Sequence, residues 1–337
     1  MRVGENPTKF VRKNPQIASI PVTVPKKITV ITITYIPHLT GYYEDGLDIL
    51  QLNFTALKNT LQRPFDFIVF DNGSCREATD FLLDLKKKDI IQVLLLSSGN
   101  MKKLGAWNYL FTIALGDYIY YFDSDMYHYP GWFDALENTM ESFPQAGIVG
   151  AFHNITDKNI SRNIEIAEND RSILVEYGNF IPEEKLREVG ESLGTDIEHF
   201  VNKRKNQKQY KISRKNAAAF LGASHCQFLT KKDVITDVFP RPFDWALHNT
   251  DKEFDRLVDE AGWLRLTTCE SHVYHVGNTI SEKMQAEMER MDLNSLASNK
   301  VTSDYPKAVQ LFIKLRPIRY IIKKLYAFFF KLMYRIV

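Results

Sequence analysis

The chain has little cysteine, no long apolar run and almost no net charge, and each shortage narrows its class. Its three cysteines, Cys75, Cys226 and Cys269, are odd in number, widely spaced and outside any CxxC pattern. That argues against a disulfide framework and for a reducing compartment. No run of about 18 uncharged apolar residues occurs, so no spanning helix is expected. Met1-Arg2-Val3-Gly4-Glu5-Asn6-Pro7 lacks the apolar core of a signal peptide. A net charge of +2 singles out no polyanionic partner. Internal repeats and low-complexity tracts are missing too, and the expectation is a cytoplasmic globular protein.

Hydrophobic content of 45% and charged content of 25% are those of ordinary globular proteins. A length of 337 residues allows one large core, or one core with an elaborated second lobe. Strand and helix patterns alternate through the first half. Ile28–Ile36 reads as a buried strand, and Asp45–Leu61 as a helix with apolar residues from Leu47 to Leu57. Phe67–Phe70 is a second strand, ended by the turn formers Asp71-Asn72-Gly73-Ser74. Glu77–Lys87 is helical and Ile91–Leu96 an apolar third strand. Lys103–Leu115 puts Leu104, Trp107, Phe111 and Ala114 on one helical face, with Gly116 as its C-cap. The strand Tyr118–Phe122, a helix near Trp132–Phe143 and the strand Gly147–Phe152 complete a pattern that predicts a mostly parallel sheet covered on both faces.

The second half is less regular. Asn154–Lys215 is polar and charged, with one helical stretch around Glu183–Val201. Val201–Lys215 holds seven Lys or Arg residues and no acid. Ala217–Leu229 is apolar around Gly222-Ala223-Ser224. Asp251–Ala261 reads as an amphipathic helix with Phe254, Leu257, Val258 and Ala261 inward, and two short strands follow at Leu264–Thr268 and His272–Val276.

The chemistry gathers at strand ends. Asp123-Ser124-Asp125 closes a strand of five bulky residues, and in open α/β sheets ligands bind at that carboxyl edge. Carboxylates are hard ligands suited to Mg²⁺ or Mn²⁺ held with a substrate's phosphates. Asp71 ends the neighbouring strand pattern and so faces the same crevice, although an Asp-Asn-Gly-Ser turn is also a common Asx-turn or helix N-cap.

Taken in order, Asp71-Asn72-Gly73-Ser74, then Asn100 with Ala106 and Asn108, then Gly116-Asp117-Tyr118 leading into Asp123-Ser124-Asp125, resemble the nucleotide-sugar half of family 2 glycosyltransferases with the GT-A fold. The resemblance covers roughly Ile28–Phe152. It resumes from Gly222 to Asn278 through Asn249-Thr250-Asp251 and His275-Val276-Gly277-Asn278. It implies a Rossmann-like sheet sandwiched by helices, an irregular acceptor-side half and a helical tail. The boundaries expected are an extension over 1–25, a nucleotide-sugar half over 26–152, an acceptor half over 153–280 with an insertion at 154–215, and a tail over 281–337.

The same resemblance implies roles. Thr34, Asp71, Asn100, Asn108 and Asp123 fall on the donor side, with Asp71 hydrogen-bonding the base and uridine the base it suits. Asp123, Asp125 and His275 are the implied ligands of Mn²⁺ or Mg²⁺ bridging the donor diphosphate, with His272 competing for the third place. Asp251 is the implied base that deprotonates the acceptor hydroxyl in an inverting transfer, with Asp244 as alternative. Gly222, Ser224 and Trp245 border the acceptor, a glycan or lipid-linked glycan, in cell-surface polysaccharide or glycoconjugate synthesis. Two positions depart from the pattern. Lys102 stands where the family has glycine, and Thr250 where it has glutamate.

The tail is a separate electrostatic object. From Lys307 onward there are eight basic residues and no acid, whereas the remainder carries 35 basic against 41 acidic. Beyond Pro317, Arg319, Lys323, Lys324, Lys331 and Arg335 share one side of a helical wheel, and Ile321, Ile322, Leu325, Phe328, Phe329 and Leu332 lie on the other. Such a helix lies on an anionic membrane surface, packs on the core or dimerises. Nucleic acid is disfavoured, because large aliphatics separate the tail's basic residues. A sugar-phosphate nucleotidyltransferase shares the sheet but needs a Gly-rich phosphate loop that Thr32–Pro37 does not supply. A non-catalytic scaffold that has kept the fold is the reading from another class.

Overall fold

A computed structural model of the chain describes residues 24–153, 160–238, 252–291 and 296. The tail beyond 296, the N-terminal extension to residue 23, and Asp244, Trp245, Thr250 and Asp251 lie outside the described residues. Among those described, no helix is long and apolar enough to cross a membrane.

The first half alternates as its periodicity predicts: β1 (Ile28–Thr34), α1 (Gly46–Thr60), β2 (Phe65–Asp71), α2 (Arg76–Lys87), β3 (Val93–Leu96), α3 (Lys102–Ile113), β4 (Tyr118–Asp123), β5 (Met126–His128), α4 (Trp132–Ser142) and β6 (Ala146–Gly150). The region read as an insertion with one helical stretch instead holds α5 (Ser161–Asn169), β7 (Leu174–Gly178), α6 (Glu183–Ser192), α7 (Ile197–Arg204) and β8 (Gln209–Arg214). After it come β9 (Ala217–Leu221), β10 (Gln227–Lys231), α8 (Lys232–Val238), α9 (Lys252–Glu260), β11 (Leu264–Thr268), β12 (Val273–His275) and α10 (Glu282–Arg290).

Ten strands form one sheet in the order β3-β2-β1-β4-β10-β6-β11-β9-β8-β7. The pairings β3-β2-β1-β4 and β6-β11 are parallel, while β10, β9 and β7 run antiparallel to their neighbours. This is the α/β, Rossmann-like architecture of the GT-A fold. A separate antiparallel pair joins β5 to β12.

Strand periodicity explains the two layers. Tyr118, Tyr120 and Phe122 of β4 point into a core shared with Leu50 and Phe54 of α1, Leu82 of α2 and Leu136 of α4. Ile119 and Tyr121 alternate to the other face, against Trp107 of α3, Val234 of α8 and Phe254 of α9. With a period of two, the next inward position on the α3 face is Asp123. The pleat itself therefore brings that carboxylate beside α3.

Gly116 does not cap α3. The helix ends at Ala114, whose N–H reaches the Leu110 carbonyl. A Cβ on Gly116 would lie 2.7 Å from the Thr29 nitrogen and 2.8 Å from the Lys27 carbonyl oxygen. The glycine is there because the chain passes directly over the start of β1.

Candidate active site

Three elements pin the backbone of the acidic tripeptide. The Asp123 N–H donates to the Cys226 carbonyl at 2.7 Å, Asn53 Nδ2 of α1 donates to the Ser124 carbonyl at 2.9 Å, and the Val276 N–H donates to the Asp125 carbonyl at 2.8 Å. The two carboxylates are thus presented by a braced turn between β4 and β5.

Their partners differ. Asp123 accepts from the Tyr121 hydroxyl on one oxygen and from Lys103 Nζ at 3.0 Å on the other. Lys103 also donates to the His225 carbonyl at 3.1 Å and lies over the Trp107 and Tyr121 rings. Burial pushes the Asp123 carboxyl up, opposed by the Lys103 charge. Asp125 instead faces His275, with Oδ2 3.3 Å from Nε2, and its buried Oδ1 has no partner among the described residues. The His275 Nδ1 approaches the Ser192 carbonyl at 3.2 Å. Burial lowers the imidazole pKa, but hydrogen bonding and charge from Asp125 outweigh it and raise it to about 9.

Among the described residues, no three His, Cys, Asp or Glu side chains form a ready metal cluster. The expected metal ligands divide accordingly. Asp125 and His275 converge, while Asp123 is turned to Lys103. One carboxylate with a spare buried oxygen and one imidazole make a donor set that fits a divalent ion such as Mn²⁺.

Asp71 and Thr34 pair with each other behind the cleft. The Thr34 hydroxyl donates to Asp71 Oδ1 at 2.9 Å, and the Ser74 N–H donates to Oδ2 at 3.1 Å. Both residues are buried, and the Asp71 side chain closes the turn after β2 by accepting from an N–H three residues on. The next residue, Asn72, reaches the cleft. Its Oδ1 accepts from the Met101 N–H at 2.7 Å, and its Nδ2 donates to Asn100 Oδ1 at 3.1 Å. Asn100 Oδ1 also accepts from the Lys102 N–H at 2.7 Å.

Lys102 has a φ of +58°, in the left-handed region that glycine enters freely. Lys102 thus holds, with a side chain, a conformation that glycine would take without strain.

A cleft of about 380 Å³ opens at this edge. Asn72, Asn100, Lys102 and Lys103 line one side, Tyr35, Tyr42 and Tyr43 the other, with Tyr121 and Asp123–Asp125 between them and Gly277 and Asn278 nearby. The tyrosines pack edge to face, Tyr35 to Tyr43 at 5.9 Å and Tyr42 to Tyr43 at 5.0 Å. They escape a reading that follows acidic motifs, although three tyrosines within nine residues after the first strand are a usable signal. Asn108 sits along α3 and does not line the cleft. Gly222 (φ +98°) and Ser224 do not line it either. Gly222 bonds the Arg265 carbonyl through its N–H at 2.8 Å, and the Ser224 hydroxyl lies 3.0 Å from Cys226 Sγ.

Behind the site a buried charge network ties the elements together. His225 Nε2 lies 2.7 Å from Asp255 Oδ1, and Arg265 Nη1 lies 3.0 Å from Asp255 Oδ2. Arg265 also donates to both oxygens of Asp259, at 2.8 and 2.9 Å. The loop that carries the Lys103 acceptor is thereby fixed to α9 and β11.

Comparison with known proteins follows the same line. The family model described as Glycosyl transferase family 2 matches residues 42–219. Among solved structures, S. aureus TarS (residues 1–349) is similar at 13% identity and a TM-score of 0.42, covering 84% of this chain and 68% of that one. A mannosyltransferase, PcManGT from Pyrobaculum calidifontis in complex with GDP-Man and Mn²⁺, has 16% identity and a TM-score of 0.38, covering 73% and 55%. GalNAc-T7 with UDP, GalNAc and Mn²⁺ has 12% identity and a TM-score of 0.44, covering 74% and 43%. The chain therefore spans less than two thirds of the length of the last two. A search of curated proteins found no match.

Proposed function

The chain belongs to glycosyl transferase family 2, and from that premise we propose that it moves a sugar from a nucleotide-diphospho-sugar to a hydroxyl of a glycan or lipid-linked glycan, with inversion. The observation that carries this reading is the convergence, at the carboxyl ends of β1 and β4, of Asn100, Lys103, Asp123 and Asp125 in one cleft beside an aromatic wall. An α/β sheet that gathers amides, a lysine and carboxylates at this edge suits a nucleoside diphosphate.

Asp125 and His275 would hold a divalent ion, Mn²⁺ or Mg²⁺. When bound, that ion supplies positive charge to the departing diphosphate. The chain's own residues do the rest. Asn53, Cys226 and Val276 keep the turn from shifting as charge changes. Lys103 sits where it can pass from Asp123 to a phosphate oxygen, while Tyr121 retains Asp123. Asn72 and Asn100 brace the Lys102 turn, so the backbone there is preorganised to meet the nucleotide. Asp251 remains the base proposed for the acceptor hydroxyl, and Gly222, Ser224 and Trp245 the proposed acceptor border. A uridine donor is proposed, with Thr34 and Asp71 shaping the base pocket from behind. Attachment to the cytoplasmic face of a membrane through the basic tail completes the proposal.

Thermal shift with a panel of nucleotide sugars and Mn²⁺ tests the donor reading. A true donor stabilises the fold by mass action, by about 2.7 kcal/mol at a hundred times its Kd. A panel with no member that shifts Tm in the presence of Mn²⁺ refutes it.

A further inference from the structure

A second cavity, of about 620 Å³, shares no lining residue with the donor cleft. It lies between α4, the turn joining β8 to β9, and the stretch Thr268–His272. Ala217 and Ala218 of β9 and Ala135 of α4 keep its walls low. Around them, the side chains of Asn138, Asn216, Glu270 and His272 line the space, and among the described residues none of the four is hydrogen-bonded within the protein. Asn138, Asn216 and Glu270 are exposed and His272 is half-buried, so two amides, a carboxylate and an imidazole offer donors and acceptors to one accessible volume.

The charge of the cavity is balanced. Arg214 and Lys215 are set against Glu141 and Glu270, and burial lowers the His272 pKa. Arg214 is already engaged with the Ser142 carbonyl at 2.8 Å and the Ser172 hydroxyl at 2.9 Å. A strongly anionic ligand therefore gains little here, and among the described residues that line the cavity there is no Tyr, Trp or Phe on which a nucleobase would stack. A neutral, polyhydroxylated ligand matches both the balance of charge and the supply of hydrogen-bonding groups. The volume is that of an ordinary small-molecule site.

The position also has meaning. His272 immediately precedes β12, and His275, which faces Asp125, ends it. They are three positions apart along the strand, about 10 Å at about 3.3 Å per residue. We propose that this cavity is a saccharide subsite, taking a neutral sugar unit of the acceptor some way from the hydroxyl that reacts. The word acceptor rests on the transferase reading above; the saccharide binding does not.

The test is saturation-transfer-difference NMR on the full chain, without donor or divalent ion, using cellobiose, chitobiose, lactose, mannobiose and maltotriose. The expected result is transfer to at least one oligosaccharide. Its Kd should rise at least tenfold in Asn138→Ala/Asn216→Ala and in Glu270→Ala, and stay unchanged in Asp125→Ala. No transfer to any of the five, or transfer that survives the first two variants, overturns the proposal. Failure of the donor reading would appear separately, as an absent nucleotide-sugar effect with oligosaccharide binding intact.

Discussion

Asp125 and His275 meet across the junction of β5 and β12, carboxylate oxygen to imidazole nitrogen at 3.3 Å, while the other Asp125 oxygen is buried without a partner among the described residues. A buried carboxylate oxygen left unpaired costs about 1–3 kcal/mol, more for a charged group. The pair is where the proposed divalent ion would be held.

The first prediction follows from that proposal. His275→Ala should weaken Mn²⁺ binding at least tenfold, and Asp125→Asn by more, as read by titration calorimetry. Unchanged affinity in His275→Ala would reduce the histidine to a structural partner of the carboxylate.

Arg265 is fully buried between Asp255 and Asp259. Removing the guanidinium leaves two carboxylates in the interior, so Arg265→Ala should cost about 3–5 kcal/mol in urea unfolding. A loss below about 1 kcal/mol would show that the network adds little to stability.

His128 is buried, its Nε2 2.8 Å from the Tyr120 hydroxyl, and burial lowers its pKa to about 3. The folded state thus resists a proton that the unfolded state takes up below pH 6.5. Stability from this group is complete above that pH and falls by about 1.4 kcal/mol per unit as the pH drops toward 3. The wild type should lose about 2 kcal/mol from this source between pH 6.5 and 5, and His128→Gln should flatten that limb in urea titrations. Parallel curves would contradict the assignment.

Lys102 holds a left-handed backbone at a cost of about 1 kcal/mol that glycine does not incur. Lys102→Gly should exceed the wild type in Tm, whereas Lys102→Ala, which keeps the Cβ, should match it. Equal loss in both would mean that the lysine side chain, rather than the turn, is what matters there.

The legible parts of this chain are those where burial writes a simple pattern. Tyr118–Phe122 and Ile28–Thr34 are covered on both faces and read as unbroken bulky runs, so β4 and β1 were plain. The strands β7 and β8 were not, because β7 is the sheet edge and its Leu174 and Tyr177 are 62% and 58% exposed among charged neighbours. Edge position removes the hydrophobic signature that names a strand. In the site, residue types announced Asp123 and Asp125 at a strand end. Their division of labour was hidden, because it depends on Lys103 arriving from α3 and His275 from β12, contacts far apart in sequence. Asp71 was read for its chemistry, while its surroundings, Thr34 and the Ser74 N–H, belong to the tertiary fold.

The most direct test of the central claim is release of nucleoside diphosphate from nucleotide sugars, measured with and without Mn²⁺ for wild type and Asp125→Ala. Turnover that requires the ion and falls by at least a hundredfold in the variant is the predicted result. Wild-type protein that turns over no nucleotide sugar under any condition, or an Asp125→Ala variant as active as wild type, would contradict it.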